Sequence, residues 1–547
     1  MDEKRKSSLQ VWTPLLFSLV MILGMIFGFD LHDTLRNKRD IQSVMQRSDR
    51  LEEIIDLVHE KYTDTINTDQ LYKDAIAGIL KHLDPHTVYI PADEVEGVNE
   101  DLEGGFFGIG VEFSIVRDTI QVTSVIENGP AEKAGVAIGD QLLKVGDSVV
   151  AGKKITSEGI IQMLRGKQHS SVGLTLKGPL SGKEKHVSIV RDTVPIYSVD
   201  ADIKIDSNTG FIKVNRFSAT TYNEFSKALK DLKAQGITQL IIDLRENPGG
   251  YLDAATMIAD ELLDDNKLIV YTKGLHTPKT EYKAGEKGMF ETGKLAILVD
   301  ESSASASEIL SGAIQDWDRG VIVGRRTYGK GLVQEQFEMG DGAALRLTVA
   351  KYYTPAGRCI QRPFDKGKAA YMKDFENRFE DGELTGKDTT TRKDTTRYYT
   401  SMHRPVYGGG GISPDVYVPY DTARLSPGLL GIVFSDDLRE VLWDYFIHSR
   451  EHLKYKNVKE YDVQFNDEDK ILKSYLASLK PTEKVNAAKI LSKSANTMYF
   501  KLQVKAQMAR FLFRENGYYA IYAKEDSVVK KALEIMNSDQ YSKLIGR

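Results

Sequence analysis

A serine lies in a run of small residues where a strand signal is followed by a helix signal. The buried strand is predicted at residues 295–299, and the small residues 304–307 come shortly after it. Open α/β sheets place their active sites at the carboxyl ends of strands, so Ser305 is a candidate nucleophile. The competing interpretation is structural, because Ser305 and Glu308 have the spacing of a helix capping box.

A serine hydroxyl needs a neighbouring base before it can attack a carbonyl group. The sequence has no Gly-x-Ser-x-Gly motif, and none of its 10 histidines lies in the serine run. Lys330 is the candidate base, because burial in apolar surroundings keeps a lysine neutral. It follows a predicted buried strand at residues 321–323, and Gly329 and Gly331 beside it permit close approach to the serine. The alternative is an ordinary solvated lysine in a loop.

A second strand–turn–helix junction could supply hydrogen-bond donors to a developing oxyanion. Residues 243–250 connect a buried strand at residues 240–244 to a helix, and they end in Gly249 and Gly250. Adjacent glycines let backbone amides approach a ligand, and the helix N-terminus adds partial positive charge. That combination suits an oxyanion hole. The alternative is a tight turn without a ligand.

Residues 324–330 also have the Gly-x-x-x-x-Gly-Lys spacing of a P-loop nucleotide site. A P-loop continues with a serine or threonine that binds magnesium. Here the next residue is Gly331, and residues 332–334 have the pattern of a strand, so nucleotide binding is disfavoured. The single cysteine, Cys359, excludes an intrachain disulfide and a cysteine-based zinc site.

Four regions are expected around these candidates. Residues 196–425 alternate strand and helix signals, which predicts an α/β domain with a mainly parallel sheet. Within it, the polar residues 363–407 are interpreted as an inserted, mobile surface loop. Residues 31–100 and 426–547 have helical apolar spacing, and the second of these offers no chemistry.

The β-rich residues 101–195 predict a separate small domain with the order of elements of a PDZ domain. Its glycine loop, Gly108, Ile109, Gly110 and Val111, precedes a strand. In PDZ domains the N–H groups of such a loop bind the C-terminal carboxylate of a peptide, which adds a strand to the sheet edge. The alternative is an ordinary turn between strands.

The N-terminus predicts an uncleaved membrane anchor. Residues 4–6 are basic, and the apolar run at residues 11–29 is long enough to cross about 30 Å of hydrocarbon. It lacks the small-residue cleavage site of a signal peptide. The distribution of positive charge keeps residues 1–10 in the cytoplasm and exports the rest, although Lys38 and Arg39 on the far side weaken that orientation.

Composition limits the remaining classes of function. The chain has 547 residues, 41% hydrophobic and 28% charged, which suffices for several domains with buried cores. Its formal net charge of −5 argues against binding to nucleic acid, because phosphate neutralisation needs a basic surface.

Five motifs together closely resemble those of the carboxyl-terminal processing proteases, also called tail-specific proteases. They are Asp-Leu-Arg-Glu-Asn-Pro-Gly-Gly at 243–250, Ser-Ala-Ser-Ala-Ser-Glu at 303–308, Tyr-Gly-Lys-Gly at 328–331, Tyr-Tyr-Thr-Pro-Ala-Gly-Arg-Cys-Ile-Gln at 352–361 and Gly-Ile-Ser-Pro-Asp at 411–415. The resemblance covers about residues 80 to 420. It implies a crotonase/ClpP-like α/β peptidase core with an inserted PDZ domain.

The resemblance also implies roles for individual residues. Ser305 is then the nucleophile, Lys330 the general base, and Gln334 the residue that orients the lysine. The Ala306 N–H and an N–H of the glycine pair form the oxyanion hole, with the choice between Gly249 and Gly250 left open. An arginine that couples peptide binding by the PDZ domain to activation is matched by Arg165.

The function implied is a serine endopeptidase that captures exposed protein C-termini and cleaves peptide bonds without a metal or cofactor. The anchor predicts a location on the periplasmic or extracytoplasmic side of a membrane. Homo-oligomer formation is left open. A second hypothesis is a non-catalytic scaffold that binds protein tails, which the presence of both Ser305 and Lys330 disfavours.

Overall fold

The computed structural model describes residues 50–285, 287–386, 396–422 and 426–546. The chain divides into two compact units, Met1–Leu83 and Asp84–Arg547. In the first unit, residues 50–61 and Thr68–Leu80 form helices.

The predicted membrane anchor at residues 11–29 lies outside the described residues. Among the helices that the structure does describe, none has the length and apolar character needed to cross a membrane.

A six-stranded sheet forms the centre of the second unit. Its first two strands are antiparallel and all later neighbours are parallel, so the predicted mainly parallel sheet is confirmed. The strands in spatial order are Val199–Lys204, Thr209–Val214, Gln239–Asp243, Lys294–Val299, Val321–Gly324 and Val416–Tyr417. The inner strands are buried along their whole length, as expected where helices cover both faces of a sheet.

Alternate residues of each strand pack against different layers. Ile242 and Ile297 face the core that contains the helices Thr221–Ala234, Leu252–Asp260 and Ala306–Asp316. Ile241 and Leu298 face a second core to which the C-terminal helix Ser527–Met536 contributes. Every strand therefore has apolar residues on both faces, which explains the continuous apolar runs in the sequence.

A second, antiparallel sheet carries the candidate base. Its long hairpin consists of Leu332–Glu338 and Ala344–Tyr353, and Lys330 lies just before the first of these strands. The other strands are Val88–Ile90, Leu268–Lys273 and Thr280–Lys283. Val88–Ile90 pairs with the hairpin, so the prediction that residues 31–100 are helical is wrong at this strand. The helix Ala92–Glu103 follows it.

Residues 105–195 form the predicted small β domain. The sheet order is Val111–Val116, Thr119–Val125, Gln141–Val145, Ser171–Lys177 and Glu184–Val190, with Ser148–Val149 beside the third strand. The helices are Pro130–Lys133 and Ser157–Leu164. Gly105–Gly108 pairs with Asp192–Pro195 and joins the two ends of the domain. Among the described residues, Val111–Val116 pairs with one strand only, which leaves one edge open.

The C-terminal region is helical, as predicted. Its helices are Pro427–Val433, Asp436–Ser449, Val458–Gln464, Glu468–Ser478, Pro481–Leu491, Ser494–Tyr522, Ser527–Met536 and Gln540–Leu544. It contacts both other parts of the unit. Arg117 of the β domain pairs with Glu440 and Asp444 at 3.0 Å, and Arg245 of the central sheet pairs with Asp526 at 2.9 Å.

Residues 363–407 are predicted to form a mobile surface loop, and residues 387–395 of that stretch lie outside the described residues. Most of residues 363–386 are exposed, but they are not a simple loop. Residues 363–386 contain the helices Lys368–Met372 and Asp374–Glu380, and Arg397–Tyr399 pairs with Pro405–Tyr407. Arg378 is buried, and its charge is paired with Glu383 at 2.9 Å. Paired arginines can be buried, so individual polar side chains of this stretch lie in the interior.

Candidate active site

Ser305 lies at the mouth of the helix Ala306–Asp316, after the strand Lys294–Val299. Its φ of +53° is in the left-handed region, which is unfavourable for a residue with a β carbon. Half of the predicted capping box is present, because the Glu308 carboxylate accepts from the Ser305 N–H at 2.9 Å, whereas the Glu308 N–H donates to the Ser305 carbonyl oxygen at 2.8 Å and not to its hydroxyl. A cap does not need a positive φ, since N-cap residues are typically extended. The strained backbone is therefore evidence for a functional serine in addition to a cap.

Lys330 is held by Gln334, the residue predicted to orient it. The Lys330 Nζ donates to Gln334 Oε1 at 3.0 Å. Burial lowers the pKa of Lys330, the positive charge of Arg346 lowers it further, and Glu308 and Asp84 oppose the shift. Both dominant effects favour the neutral amine that a general base requires.

The amide of Gln334 is fixed by a second contact. Its Nε2 donates to the carbonyl oxygen of His86, so its oxygen is turned toward Lys330. The His86 ring forms a 2.8 Å hydrogen bond with the hydroxyl of Tyr371. Burial lowers the pKa of His86 to about 4, with a further contribution from the charge of Lys330, so this histidine is neutral near pH 7.

A buried carboxylate joins the serine segment to the lysine loop. Glu308 accepts hydrogen bonds from the N–H groups of Ser305 at 2.9 Å, Gly329 at 2.7 Å and Lys330 at 2.8 Å, and from the hydroxyl of Thr327. Burial raises the pKa of Glu308 to about 7, although these four donors counteract the shift.

The hydroxyl of Tyr352 binds the same two residues from the other side of the main chain. Its single proton is shared, in a bifurcated hydrogen bond, between the carbonyl oxygen of Ser305 at 3.1 Å and that of Lys330. Among the described residues, no direct hydrogen bond joins the Ser305 hydroxyl to the Lys330 amine. The structure brings the two residues together through their backbones, while the amine itself is bound to Gln334.

The two glycines of the predicted oxyanion hole differ in their hydrogen bonds. The Gly249 N–H donates to Asn247 Oδ1 at 2.9 Å and is therefore occupied. Neither the Gly250 N–H nor the Ala306 N–H has an acceptor within the part of the chain that the structure describes. Of the two glycines that the sequence left open, the geometry favours Gly250 as the second donor beside Ala306.

Gly249 has a different role, because its backbone touches the serine segment. A β carbon at this position would lie 2.7 Å from the Ala304 oxygen, 2.8 Å from the Ser305 Cβ and 3.0 Å from the Ala306 nitrogen. Its φ of +98° is also unsuited to other residues. The glycine turn is thus packed directly against the candidate nucleophile.

The glycine loop of the β domain lies between two strands, with Gly108 ending one and Val111 beginning the next. The Ile109 carbonyl accepts from Ala131 N–H at 2.8 Å, and the Gly110 carbonyl accepts from Ile126 N–H at 3.0 Å. These bonds fix the loop beside the open edge of Val111–Val116.

Arg165 is not in contact with the candidate catalytic residues in this structure. Its guanidinium pairs with Glu100 at 2.5 Å and lies over the ring of Phe106 at 4.4 Å. The coupling role implied by the family resemblance stays a prediction.

The P-loop alternative does not fit the structure. Residues after Gly331 form the strand Leu332–Glu338, whereas a P-loop leads into a helix. The N–H groups of Gly329 and Lys330 donate hydrogen bonds to the carboxylate of Glu308, so they are not free to bind a phosphate.

Sequence reasoning missed three residues of this site. The sequence interpretation gave Glu308 only the role of a helix cap. It placed His86 only in a segment, residues 84–86, at which a helix ends. Tyr352 lies in one of the matched motifs, and that membership was the only available signal for it. The contacts of all three are long-range, which local patterns do not reveal.

Three family models match the chain. Residues 208–366 match peptidase family S41, and residues 121–178 match a PDZ domain. Residues 434–514 match a family of unknown function.

Curated relatives match more than half of the chain. A "Probable CtpA-like serine protease" of Staphylococcus epidermidis is 36% identical over 315 residues, which cover 57% of this chain and 62% of the relative. A protein of the same name from Staphylococcus aureus is 32% identical over 355 residues, covering 64% of this chain and 69% of the relative.

Among solved structures, the photosystem II D1 C-terminal processing protease is 25% identical, covering 67% of this chain and 86% of that one. Its TM-score of 0.35 is too low to support a structural argument. The sequence relatives and the two domain matches nevertheless agree with the motifs. The chain belongs to the carboxyl-terminal processing protease family and combines an S41 peptidase domain with a PDZ domain.

Proposed function

We propose that the protein is a serine endopeptidase in which Ser305 is the nucleophile and Lys330 the general base. The observation that carries the proposal is the shared anchoring of these two residues, whose N–H groups bind one oxygen of Glu308 at 2.9 and 2.8 Å. The lowered pKa of Lys330 and the strained backbone of Ser305 support it independently.

In the proposed reaction, neutral Lys330 donates one N–H to Gln334 and keeps its lone pair for the hydroxyl proton of Ser305. The serine oxygen then attacks the scissile carbonyl carbon, and the N–H groups of Ala306 and Gly250 bind the resulting oxyanion. Protonated Lys330 transfers its proton to the leaving amine. Water then attacks the acyl carbon while Lys330 accepts its proton. The bond to the Ser305 oxygen breaks, Lys330 returns the proton to that oxygen, and the carboxylic acid product leaves.

The test measures cleavage of labelled casein, an unstructured protein, by the full chain and its variants. We expect S305A and K330M each to abolish cleavage, since each removes one half of the reacting pair. S302A and K351M are matched controls, because both side chains are exposed and lie near the site in the chain. Near-normal turnover by S305A or K330M would contradict the proposal.

A covalent fluorophosphonate probe separates catalysis from tail binding by a scaffold. Labelling of the wild type that is lost in S305A supports an activated serine. A scaffold without an activated serine would bind peptides but would not react with the probe.

We also propose that the PDZ domain recognises protein C-termini through residues 108–111 and the open edge of Val111–Val116. A peptide with a free C-terminal carboxylate should then bind more tightly than the same peptide with an amidated terminus, because the amide removes the negative charge. Equal affinities measured by fluorescence anisotropy would contradict recognition of the carboxylate.

The apolar run at residues 11–29 supports one further proposal, a membrane anchor with the peptidase on the extracytoplasmic side. The protein should then stay in the membrane fraction during alkaline carbonate washing. It should also be degraded by protease added to intact spheroplasts. Release by carbonate, or protection in spheroplasts, would contradict the anchor or its orientation.

A further inference from the structure

We infer that Glu308 and Tyr352 are positioning residues that clamp Ser305 and Lys330 by their main chains. The inference rests on the proposed function and concerns how the two reacting side chains are kept in register. Neither positioning side chain is expected to touch the substrate.

The clamp has a carboxylate side and a hydroxyl side. Glu308 accepts the N–H groups of Ser305 and Lys330 on a single oxygen, Oε2. Tyr352 donates to the carbonyl oxygens of the same two residues. Each candidate catalytic residue is therefore bound at both its N–H and its C=O by the same pair of side chains.

Both positioning residues are rigidly placed. Glu308 is fully buried in the helix that starts after Ser305, and Tyr352 is 1% exposed in the hairpin that starts after Lys330. Glu308 lies on the helix next to Ser305 and also binds Lys330. Tyr352 lies on the hairpin next to Lys330 and also binds Ser305. Displacement of the helix relative to the hairpin would therefore break bonds at both residues.

The second oxygen of Glu308 fixes the loop before the lysine. Oε1 accepts from the Gly329 N–H at 2.7 Å and from the hydroxyl of Thr327, which itself accepts from the Ile412 N–H at 2.6 Å. Because Lys330 has a glycine on each side, its backbone would otherwise be unusually free. The carboxylate supplies the restraint that the glycines lack.

The clamp also bears on the strained serine. The φ of +53° at Ser305 is unfavourable and persists only where surrounding contacts over-determine it. The bonds to its N–H and C=O are such contacts. Loss of either would let the hydroxyl move away from the lysine, and misplacement by about 1 Å can lower a rate by about 100-fold.

The first test is Y352F, which removes the hydroxyl and keeps the ring. Y353F is the matched control, because Tyr353 is the next residue of the same strand and its ring stacks on Tyr271 instead. With a fluorogenic peptide as substrate, we expect Y352F to lower kcat by about 100-fold with KM within about twofold of the wild type. We expect Y353F to retain the wild-type kcat.

The second test is E308Q. A carboxylate has two acceptor oxygens and the glutamine amide has one, so the variant loses one of the two acceptors. It should lower kcat and slow fluorophosphonate labelling of Ser305 by at least about tenfold. S311A is the control, since Ser311 is buried in the same helix and its hydroxyl donates to the main-chain oxygens of Ser307 at 2.8 Å and Glu308 at 3.5 Å, which leaves the Glu308 carboxylate unchanged.

Thermal unfolding of each variant separates positioning from general stability. Loss of kcat in folded Y352F, with S311A active despite a similar fall in Tm, supports the clamp. Wild-type kcat in folded Y352F and E308Q would overturn it, as would an equal loss of kcat in S311A. If E308Q does not fold, Y352F decides alone. An inactive, unlabelled wild type would instead contradict the proposed function.

Discussion

The amine of Lys330 and the side-chain oxygen of Gln334 are joined by a hydrogen bond of 3.0 Å. Gln334 is in turn fixed by its bond to the His86 carbonyl. A neutral amide so placed binds the amine without stabilising its charged form as a carboxylate would. Glutamine therefore orients the amine without adding a negative charge that would oppose the effects of burial and Arg346.

The first prediction exchanges this amide for a carboxylate. In Q334E, a negative charge within hydrogen-bonding distance should raise the pKa of Lys330. Because the reaction needs the neutral amine, the acidic limb of the kcat/KM profile should move to higher pH. Activity at pH 7 should fall and recover on titration toward pH 9 or 10.

The groups that act on the charge of Lys330 in the wild type are Arg346, Glu308 and Asp84. All three remain in Q334E, so the shift reports on residue 334. Q464E is the control, since Gln464 is exposed on the C-terminal region. A profile of Q334E that superimposes on that of the wild type would show that the contact does not set the lysine's protonation.

The second prediction concerns the charge of Arg346. Burial is the largest cause of the lowered pKa of Lys330, and the positive charge of Arg346 is the next. Its removal in R346M should raise the lysine pKa, so the acidic limb should again move to higher pH. R346K retains the charge and should stay close to the wild type. Equal profiles for R346M and R346K would contradict the electrostatic explanation.

The third prediction tests the contact between the glycine turn and the nucleophile. In G249A, the new methyl group would meet the Ser305 Cβ at 2.8 Å and the Ala304 oxygen at 2.7 Å, so the serine segment must shift. We expect loss of turnover by about 100-fold. G236A isolates the cost of a positive φ, because Gly236 has a φ of +79° and no atom within 4 Å of the added carbon. It should cost about 1 kcal/mol of stability and leave kcat unchanged.

Much of the fold could be predicted from periodicity. Three of the four inner strands were expected at residues 240–244, 295–299 and 321–323, and the structure has them at Gln239–Asp243, Lys294–Val299 and Val321–Gly324. Fully apolar runs leave little ambiguity when the sheet is covered on both faces.

The prediction that residues 363–407 form a surface loop failed at the polar side chains that are buried. Arg378 lies in a stretch whose composition resembles a surface loop, yet it is buried by pairing with Glu383 and by donating to the Arg326 carbonyl. The pairing with Glu383 is local, but the bond to Arg326 joins residues 52 positions apart, which a local window does not include.

The candidate site likewise contains contacts that the sequence predicts and contacts that only the structure shows. Gln334 follows Lys330 by four residues, and the motif resemblance sufficed to connect them. Glu308 also matched a local pattern, but its bond to the Lys330 N–H joins residues 22 positions apart. The capping role of Glu308 was therefore predicted, but its bond to the Lys330 N–H was missed. Only the folded chain brings the lysine loop to the start of the helix.

The fourth prediction addresses the attachment of the C-terminal region to the central sheet. Arg245 pairs with Asp243 at 2.6 Å and with Asp526 at 2.9 Å, and both carboxylates are buried. R245M leaves two buried carboxylates without this partner and should lower the free energy of unfolding by about 3 to 5 kcal/mol.

Urea unfolding at pH 7 measures this change. K227M is the control, since Lys227 and Asp231 form an exposed ion pair of 2.8 Å on a helix surface. Such pairs contribute about 0.3 to 0.5 kcal/mol. If R245M and K227M were destabilised equally, the buried network would not hold the two regions together.

The fifth prediction is a loss of stability in acid that originates at Asp243. Burial by itself would raise the pKa of this carboxyl, but the charges of Arg245 and Lys213 and the hydrogen bonds from Arg245 outweigh it and lower the pKa to about 2. The folded state therefore binds fewer protons than the unfolded state between about pH 4 and 2. The stabilisation should be complete above about pH 4 and disappear as the pH falls through about 2.

Comparison with D243N isolates this contribution. The variant cannot titrate at residue 243 and leaves Arg245 without one of its charged partners, so it should be less stable than the wild type at pH 5. Because protonation of the wild-type carboxyl removes the same interaction, the difference between the two proteins should shrink on going from pH 4 to pH 2. Urea midpoints of both proteins across that range provide the measurement. A difference that stays constant with pH would mean that Asp243 is not the group whose protonation destabilises the fold.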